Sequence, residues 1–192
     1  ALDRLALASV RWIPSGQPGH RGAPLAAVEH RLAMLSLAIA DEPRFVLDGA
    51  DARSPDPTFT VNTLARLRAE LGSETPLVLI IGADQLLALD TWRDWKRLFA
   101  LAHIAVAERP RFGLESGALT GELALEYARR AVAPSGLAEL TRAPAGRIAA
   151  FGMTPLDISA SAIRAAIAAR RSPRYLLPDA VLDYIASNRL YS

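Results

Sequence analysis

The stretch LVLIIGAD, residues 77–84, decides the fold class of this chain. Its continuous apolar part, residues 77–81, is typical of a strand buried in a parallel sheet. Gly82 and Asp84 follow at the strand's carboxyl end, which is where ligands bind in such sheets. The glycine lets a ligand approach the backbone closely, and Asp84 is suited to accept hydrogen bonds from a ribose or to cap the next helix. An ordinary turn between a strand and a helix is the competing interpretation.

Strands and helices alternate on both sides of this stretch. Further strands are predicted at residues 10–14, 44–47, 104–107 and 147–151. Helices are predicted at residues 25–40, 59–71, 85–89, 92–101, 122–131, 159–169 and 178–188, and residues 1–7 resemble the tail of an apolar helix. This order predicts an α/β fold, a parallel sheet flanked by helices and closed by a C-terminal helical segment, in one domain over residues 1–192. Residues 113–140 give no functional signal.

The composition excludes several classes of protein. The 192 residues are 51% hydrophobic and 22% charged, which suits one globular domain with a sizeable core. No run of 18 or more apolar residues occurs, so no transmembrane helix is expected. The absence of cysteine excludes disulfides and thiolate metal sites, and a cytoplasmic location fits. The net charge of +2 comes from interleaved acids and bases, so nucleic acid is not an expected partner.

The segment DISASAIR, residues 157–164, combines groups that bind phosphate. Ser159 is a good helix N-cap, which places Ser161 in the first turn, where backbone N–H groups have no partner inside the helix. Arg164 follows Ser161 by three residues, so both project from one face. Free amides, two hydroxyls, a guanidinium and the helix dipole would then converge on one anion. A capped surface helix with an incidental arginine is the alternative.

Other candidates are more ambiguous. In TWRDW, residues 91–95, either tryptophan is able to stack on a flat ring or to belong to the core. Thr60 either contacts a ligand or caps a helix. His20 and Arg21 lie in a Gly- and Pro-rich loop that suits phosphate contacts or a solvated tip. Arg109 follows the 104–107 strand at the ligand edge. His30 and His103 are interpreted as structural.

Several common catalytic motifs are missing from the sequence. The chain contains no GxGxxG fingerprint, Walker A motif, HExxH motif or GxSxG elbow. It therefore offers phosphate-binding groups without an obvious protein nucleophile, and no metal-ligating residues are assigned.

Taken together, these motifs resemble bacterial nicotinate-nucleotide adenylyltransferases, members of the nucleotidylyltransferase superfamily. The matching motifs follow the family's order along nearly the whole chain: IPSGQPGHR, EHRLAML, TFTVNTL, IIGAD, the TW pair, AHIAVAERP, DISASAIR and YLLPDAVLDYI followed by LY. DISASAIR is close to the ISxTxIR signature of related nucleotidylyltransferases, with Ser161 in place of threonine.

The resemblance implies a Rossmann-like nucleotidylyltransferase fold and a reaction. ATP and nicotinate mononucleotide would give deamido-NAD and pyrophosphate, with Mg²⁺, in NAD biosynthesis. Trp92 is expected to stack on the nicotinate ring, with Thr60 near its carboxylate, and Gly82 and Asp84 to face the nucleotide's ribose. The residues expected at the phosphates and the adenylate of ATP are Ser159, Ser161, Arg164 as the catalytic residue, Arg109, His20 and Arg21.

The sequence departs from the family in two places. Arg93 stands where a second aromatic residue often follows the tryptophan. The family's opening motif, GGTFDPxHxGH, whose histidines contact ATP, is absent. The resemblance predicts a native segment preceding Ala1, and a truncated form of the enzyme is the alternative. A sister enzyme that uses nicotinamide mononucleotide or phosphopantetheine and a nucleotide-binding protein without catalysis remain alternatives. The oligomeric state is open, a homo-oligomer included.

Overall fold

The structure is a computed structural model that describes residues 1–16, 26–108, 118–154, 156 and 158–191. Its contacts divide the chain into two compact units. The four-strand unit comprises Ala1–Leu7 and Phe59–Pro155, and the two-strand unit comprises Ala8–Thr58 and Leu156–Ser192. Whether these units form the single domain expected from the sequence stays a prediction.

Strands and helices alternate in the described residues, as the sequence predicts. The strands are β1 Val10–Trp12, β2 Phe45–Leu47, β3 Val78–Gly82, β4 His103–Glu108, β5 Ala131–Val132 and β6 Ile148–Gly152. The α-helices are α1 Val28–Ile39, α2 Ala50–Arg53, α3 Thr60–Leu71, α4 Ala83–Leu87, α5 Trp95–Leu101, α6 Gly121–Arg130, α7 Ala160–Ala168 and α8 Asp179–Ser187. Two 3-10 helices cover Leu89–Thr91 and Pro134–Thr141.

The sheet of the four-strand unit is entirely parallel, with the strand order β3-β4-β6-β5. Ile80 pairs with Ala105, and Ala105 pairs in turn with Ala149, so the three longest strands run in register. These strands are apolar because both faces of the sheet are covered. The parallel α/β fold expected from residues 77–84 is therefore confirmed.

One face of this sheet packs on a cluster of fully buried side chains. Leu5 and Leu140 reach it from outside the sheet, and Ala105, Ala149 and Phe151 contribute from β4 and β6. Residues 1–7 form turns rather than a complete helix. The Leu7 amide donates to the Leu2 carbonyl, as expected where a helix ends.

Arg68 anchors the end of α3 to its surroundings. The helix ends at Gly72, whose φ of +90° is the positive value that glycine tolerates best. The Arg68 guanidinium donates to backbone carbonyls that come from three separate parts of the unit: Gly72, Ser73, Thr75, Leu101 and Pro144. One long side chain thus joins the α3–β3 connection, the end of α5 and the loop before β6.

His103, at the start of β4, is fully buried and is held by two hydrogen bonds. Its Nε2 lies 2.8 Å from the Ala143 carbonyl, and its Nδ1 accepts from the Arg147 amide at 3.0 Å. These partners fix a neutral ring protonated on Nε2. Burial lowers the pKa of His103 below 6.5, and the nearby Arg147 and Arg68 add to the effect. The structural interpretation of this histidine is consistent with these contacts.

The two-strand unit is built around a parallel pair. Strand β1 pairs with β2, and the Trp12 and Phe45 rings meet edge to face, with centroids 5.4 Å apart. Helix α1 packs against α8, where His30 Nδ1 lies 3.0 Å from the Tyr184 hydroxyl. His30 therefore also has a structural contact.

The structure differs from the sequence-based prediction in short elements. Helix α2 and strand β5 were not predicted, because elements of four and two residues leave no periodic signal. The segment 113–140 contains β5, most of the second 3-10 helix and all of α6. Pro178 was expected at the first position of the last helix, but it is the N-cap of α8. No helix in the described ranges is both long and apolar enough to cross a membrane.

Candidate active site

Gly82 and Asp84 lie where β3 passes into α4. Gly82 is the last residue of the strand and the N-cap of the helix, with no side-chain cap, so capping by Asp84 is not observed. A Cβ atom on Gly82 would lie 2.5 Å from Asp84 Oδ1, so the glycine leaves room for the carboxylate. Asp84 is exposed, and its Oδ2 accepts from Gln85 Nε2 at 2.9 Å. The strand end thus presents an exposed carboxylate that lies against the Gly82 backbone.

Thr60 and Trp92 belong to the same unit and are linked through their chain neighbours. Thr60 is the first residue of α3, and Phe59 is its N-cap, so Thr60 does not cap the helix. Trp92 follows a 3-10 helix and donates its amide to the Leu89 carbonyl. The Arg93 guanidinium carbon lies 4.7 Å from the centre of the Phe59 ring. The start of α3 and the Trp92 segment therefore meet through this cation–π contact.

The two tryptophans differ in their surroundings. Trp95 packs edge to face on Phe99, with centroids 6.1 Å apart, and Lys96 lies over its ring. Trp92 is half-buried, and no ring of the described residues stacks on it. Trp95 is thus engaged inside the unit, which leaves Trp92 as the candidate for an external ring.

The first turn of α7 forms as the sequence predicts. Ser159 is the N-cap, and its Oγ accepts from the Ala162 amide at 3.1 Å. The Arg164 Nη2 donates to Ser161 Oγ at 3.4 Å, so the guanidinium and this hydroxyl share one face. Both serines are exposed. The amides, hydroxyls and guanidinium of this turn form an arrangement that suits an anion.

Three candidates lie outside the described residues: His20, Arg21 and Arg109. Their expected phosphate contacts stay predictions. Arg31, which follows His20 and Arg21 in the chain, has no signal in the sequence that marks it as a site residue. Its Nη1 donates to the Ser15 carbonyl at 2.7 Å, and its Nε and Nη2 are buried without a partner in the described part of the chain. Neither this contact nor that between Phe59 and Arg93 has a local sequence signal.

The described residues do not form a metal cage. Within these ranges, no group of three or more His, Asp or Glu side chains is placed to hold an ion. Among the predicted site residues, Asp84 supplies the carboxylate.

Comparison with known proteins identifies the family. A family model described as cytidylyltransferase-like matches residues 1–166. A probable nicotinate-nucleotide adenylyltransferase of Dechloromonas aromatica is 48% identical over 191 residues, which covers 100% of this chain and 87% of that protein. The chain belongs to the nicotinate-nucleotide adenylyltransferase family.

Further matches agree with this assignment. A probable nicotinate-nucleotide adenylyltransferase of Hahella chejuensis is 44% identical, over 96% of this chain and 82% of that protein. A nicotinic acid mononucleotide adenylyltransferase of Plasmodium falciparum, solved in complex with NaAD, superimposes with a TM-score of 0.66 at 15% identity, over 96% of this chain and 83% of that one. That likeness shows the fold, so the expected Rossmann-like nucleotidylyltransferase architecture is confirmed.

Proposed function

We propose that this protein transfers the adenylyl group of ATP to nicotinate mononucleotide, which gives deamido-NAD and pyrophosphate in NAD biosynthesis. The observation that carries the proposal is the 48% identity to a probable nicotinate-nucleotide adenylyltransferase over the whole chain. Each unit by itself adds support: α7 carries a candidate phosphate site, and in the four-strand unit no ring of the described residues stacks on Trp92. A cytoplasmic location is part of the proposal.

The proposed reaction is a direct in-line displacement. An oxygen of the mononucleotide's 5′-phosphate attacks the α-phosphorus of ATP, and the bond to the bridging α–β oxygen breaks. Pyrophosphate leaves with that electron pair, and no covalent enzyme intermediate forms. Catalysis then depends on positioning and on stabilising the charge of the phosphate oxygens.

The two-strand unit supplies phosphate-binding groups in this proposal. Arg164 is assigned to stabilise charge on the phosphates of ATP, because a guanidinium remains charged and donates in a fixed fork. Ser159 and Ser161 add hydroxyl groups beside the first-turn amides of α7, of which the Ala162 amide is capped by Ser159. His20 and Arg21 are assigned to the same ligand from the family resemblance.

The four-strand unit supplies the groups for the sugar and the pyridine ring. Trp92 is assigned to stack on the ring, and Thr60 to lie near the ring's carboxylate. Gly82 and Asp84 are assigned to a ribose, for which an exposed carboxylate is suited as a hydrogen-bond acceptor. Arg109 is assigned to the adenylate from the family resemblance.

Mg²⁺ belongs to the proposal as a companion of ATP. Because the described residues provide no cage of three carboxylates or imidazoles, the ion would be held chiefly by phosphate oxygens and water. When bound, it would neutralise phosphate charge. The positioning ascribed above to Arg164, Ser161 and Trp92 comes from the protein's own side chains.

The experiment is a pyrophosphate-release assay on the full gene product with ATP and each of three acceptors. We expect rapid release with nicotinate mononucleotide, formation of deamido-NAD, and much slower release with nicotinamide mononucleotide and phosphopantetheine. A strong preference for either of the latter would reassign the acceptor. ATP binding without pyrophosphate release with any acceptor would support a nucleotide-binding protein instead.

A further inference from the structure

Arg93 is linked to both residues that are assigned to the pyridine ring. It directly follows Trp92, and its guanidinium stacks on Phe59, 4.7 Å from the ring centre. Phe59 directly precedes Thr60. Because neighbouring Cα atoms are only about 3.8 Å apart, each partner of the stacked pair is adjacent to one of the assigned residues. The guanidinium is therefore held in the region expected to bind the ring substituent.

The Arg93 guanidinium is available to an incoming anion. The residue is exposed, and no carboxylate of the described residues forms an ion pair with it. Arg130 provides the contrast, because it stacks on Phe99 at 4.4 Å but already donates from Nε to Glu126 at 2.7 Å. Stacking covers one face of the planar guanidinium, whereas the N–H donors lie in its plane and remain able to bind an acceptor. Phe59 thus orients the Arg93 guanidinium, and its N–H donors have no acidic partner among the residues that the structure describes.

We infer that Arg93 determines specificity for the carboxylate of the nicotinate ring over the carboxamide of nicotinamide. The inference rests on the proposed function and deepens it. A carboxylate accepts two parallel N–H bonds from a guanidinium and carries the opposite charge. A carboxamide is neutral, and its NH₂ group would face the N–H donors of the guanidinium, which cannot accept a hydrogen bond from it. Phe59 acts as a positioning residue, since it contacts Arg93 rather than the substituent.

The test compares kcat/KM for the two mononucleotides in Arg93→Gln and in the unchanged full-length protein. With nicotinate mononucleotide we expect a fall of about 10- to 100-fold, the range for loss of a hydrogen bond to a charged group. With nicotinamide mononucleotide kcat/KM stays within about twofold, because a neutral amide gains little from an exposed cation. Arg93→Lys retains part of the selectivity, since it keeps the charge and loses the fork.

Arg97→Gln is the matched control, because Arg97 is another exposed arginine four residues further along the chain. We expect this variant to discriminate between the two mononucleotides as the unchanged protein does. If the ratio of the two kcat/KM values in Arg93→Gln equalled that of the unchanged protein, the inference would be overturned. An equal fall of both values is one such result, and it would show a structural role. If the unchanged protein used neither mononucleotide, the proposed function itself would fail, which is a distinct result.

Discussion

The first turn of α7 and the Arg93–Phe59 pair both orient a guanidinium, but by different means. On α7, Ser159, Ser161 and Arg164 lie within six consecutive positions and are arranged by helix geometry. In the other region, an aromatic ring at the start of α3 holds an arginine that precedes α5. The first arrangement needs one turn of helix, whereas the second needs the correct packing of α3 against the Trp92–α5 segment.

This difference predicts how each region responds to change. A substitution in the α7 turn should remove one chemical group and leave the fold intact. The Phe59–Arg93 region should in addition be sensitive to distant residues that hold α3 in place.

The largest effect is expected for Arg164→Ala. Turnover should fall by about 100-fold or more, as on removal of a donor that stabilises developing charge. The thermal unfolding midpoint should stay close to that of the unchanged protein, because the residue acts locally. Steady-state kinetics and circular dichroism melting measure both. Arg171→Ala, just beyond α7, is the control and should remain active. Near-normal turnover in Arg164→Ala would contradict the role assigned to Arg164.

Arg68→Ala tests the dependence of the four-strand unit on distant anchoring. We expect the free energy of unfolding in urea to fall by about 2–4 kcal/mol, because several carbonyls lose a charged donor. Arg66→Ala is the control on the same helix: its pair with Glu70, at 3.7 Å, is partly exposed, and its loss should cost less than about 1 kcal/mol. Equal losses in the two variants would contradict the anchoring role.

Trp92→Ala and Trp95→Ala should separate binding from packing. For Trp92→Ala, the KM for nicotinate mononucleotide should rise roughly 2- to 12-fold, the range of aromatic stacking energies. For Trp95→Ala, the free energy of unfolding should fall instead, since its ring packs on Phe99. Kinetics and urea unfolding on both variants measure this, and a reversed pattern would exchange the two assignments.

The smallest effect concerns pH. Because burial lowers the pKa of His103 below 6.5, the folded state favours the neutral ring. Its contribution to stability is complete above the unfolded pKa, about 6.5, and is lost as the pH falls toward the folded pKa, since the unfolded chain binds the proton more readily. Between pH 8 and pH 5.5, the free energy of unfolding in urea should decrease less in His103→Gln than in the unchanged protein. Identical decreases would show that His103 does not contribute to the pH dependence.

The sequence predicted the long elements because their signals are local. The apolar run 77–81 became most of β3, and Ser159 caps α7 as expected. The signals failed where an element was too short for a period to repeat, as in α2 and β5. They also left the interpretation of the two tryptophans open, because the i,i+4 spacing of Trp95 and Phe99 permits a ring contact but does not show that it forms.

By itself, the sequence determined the α/β class, the family resemblance and the phosphate-binding turn of α7, because periodicity, capping and short motifs act over a few residues. Only the tertiary structure decided that Trp95 is packed on Phe99 while Trp92 is not, that Arg68 anchors α3, and that Arg93 stacks on Phe59. The Arg68 and Arg93 contacts join residues far apart in the chain, and no local pattern records such contacts. Trp95 and Phe99 lie four residues apart in α5, so their contact required the helix to place both rings on one face.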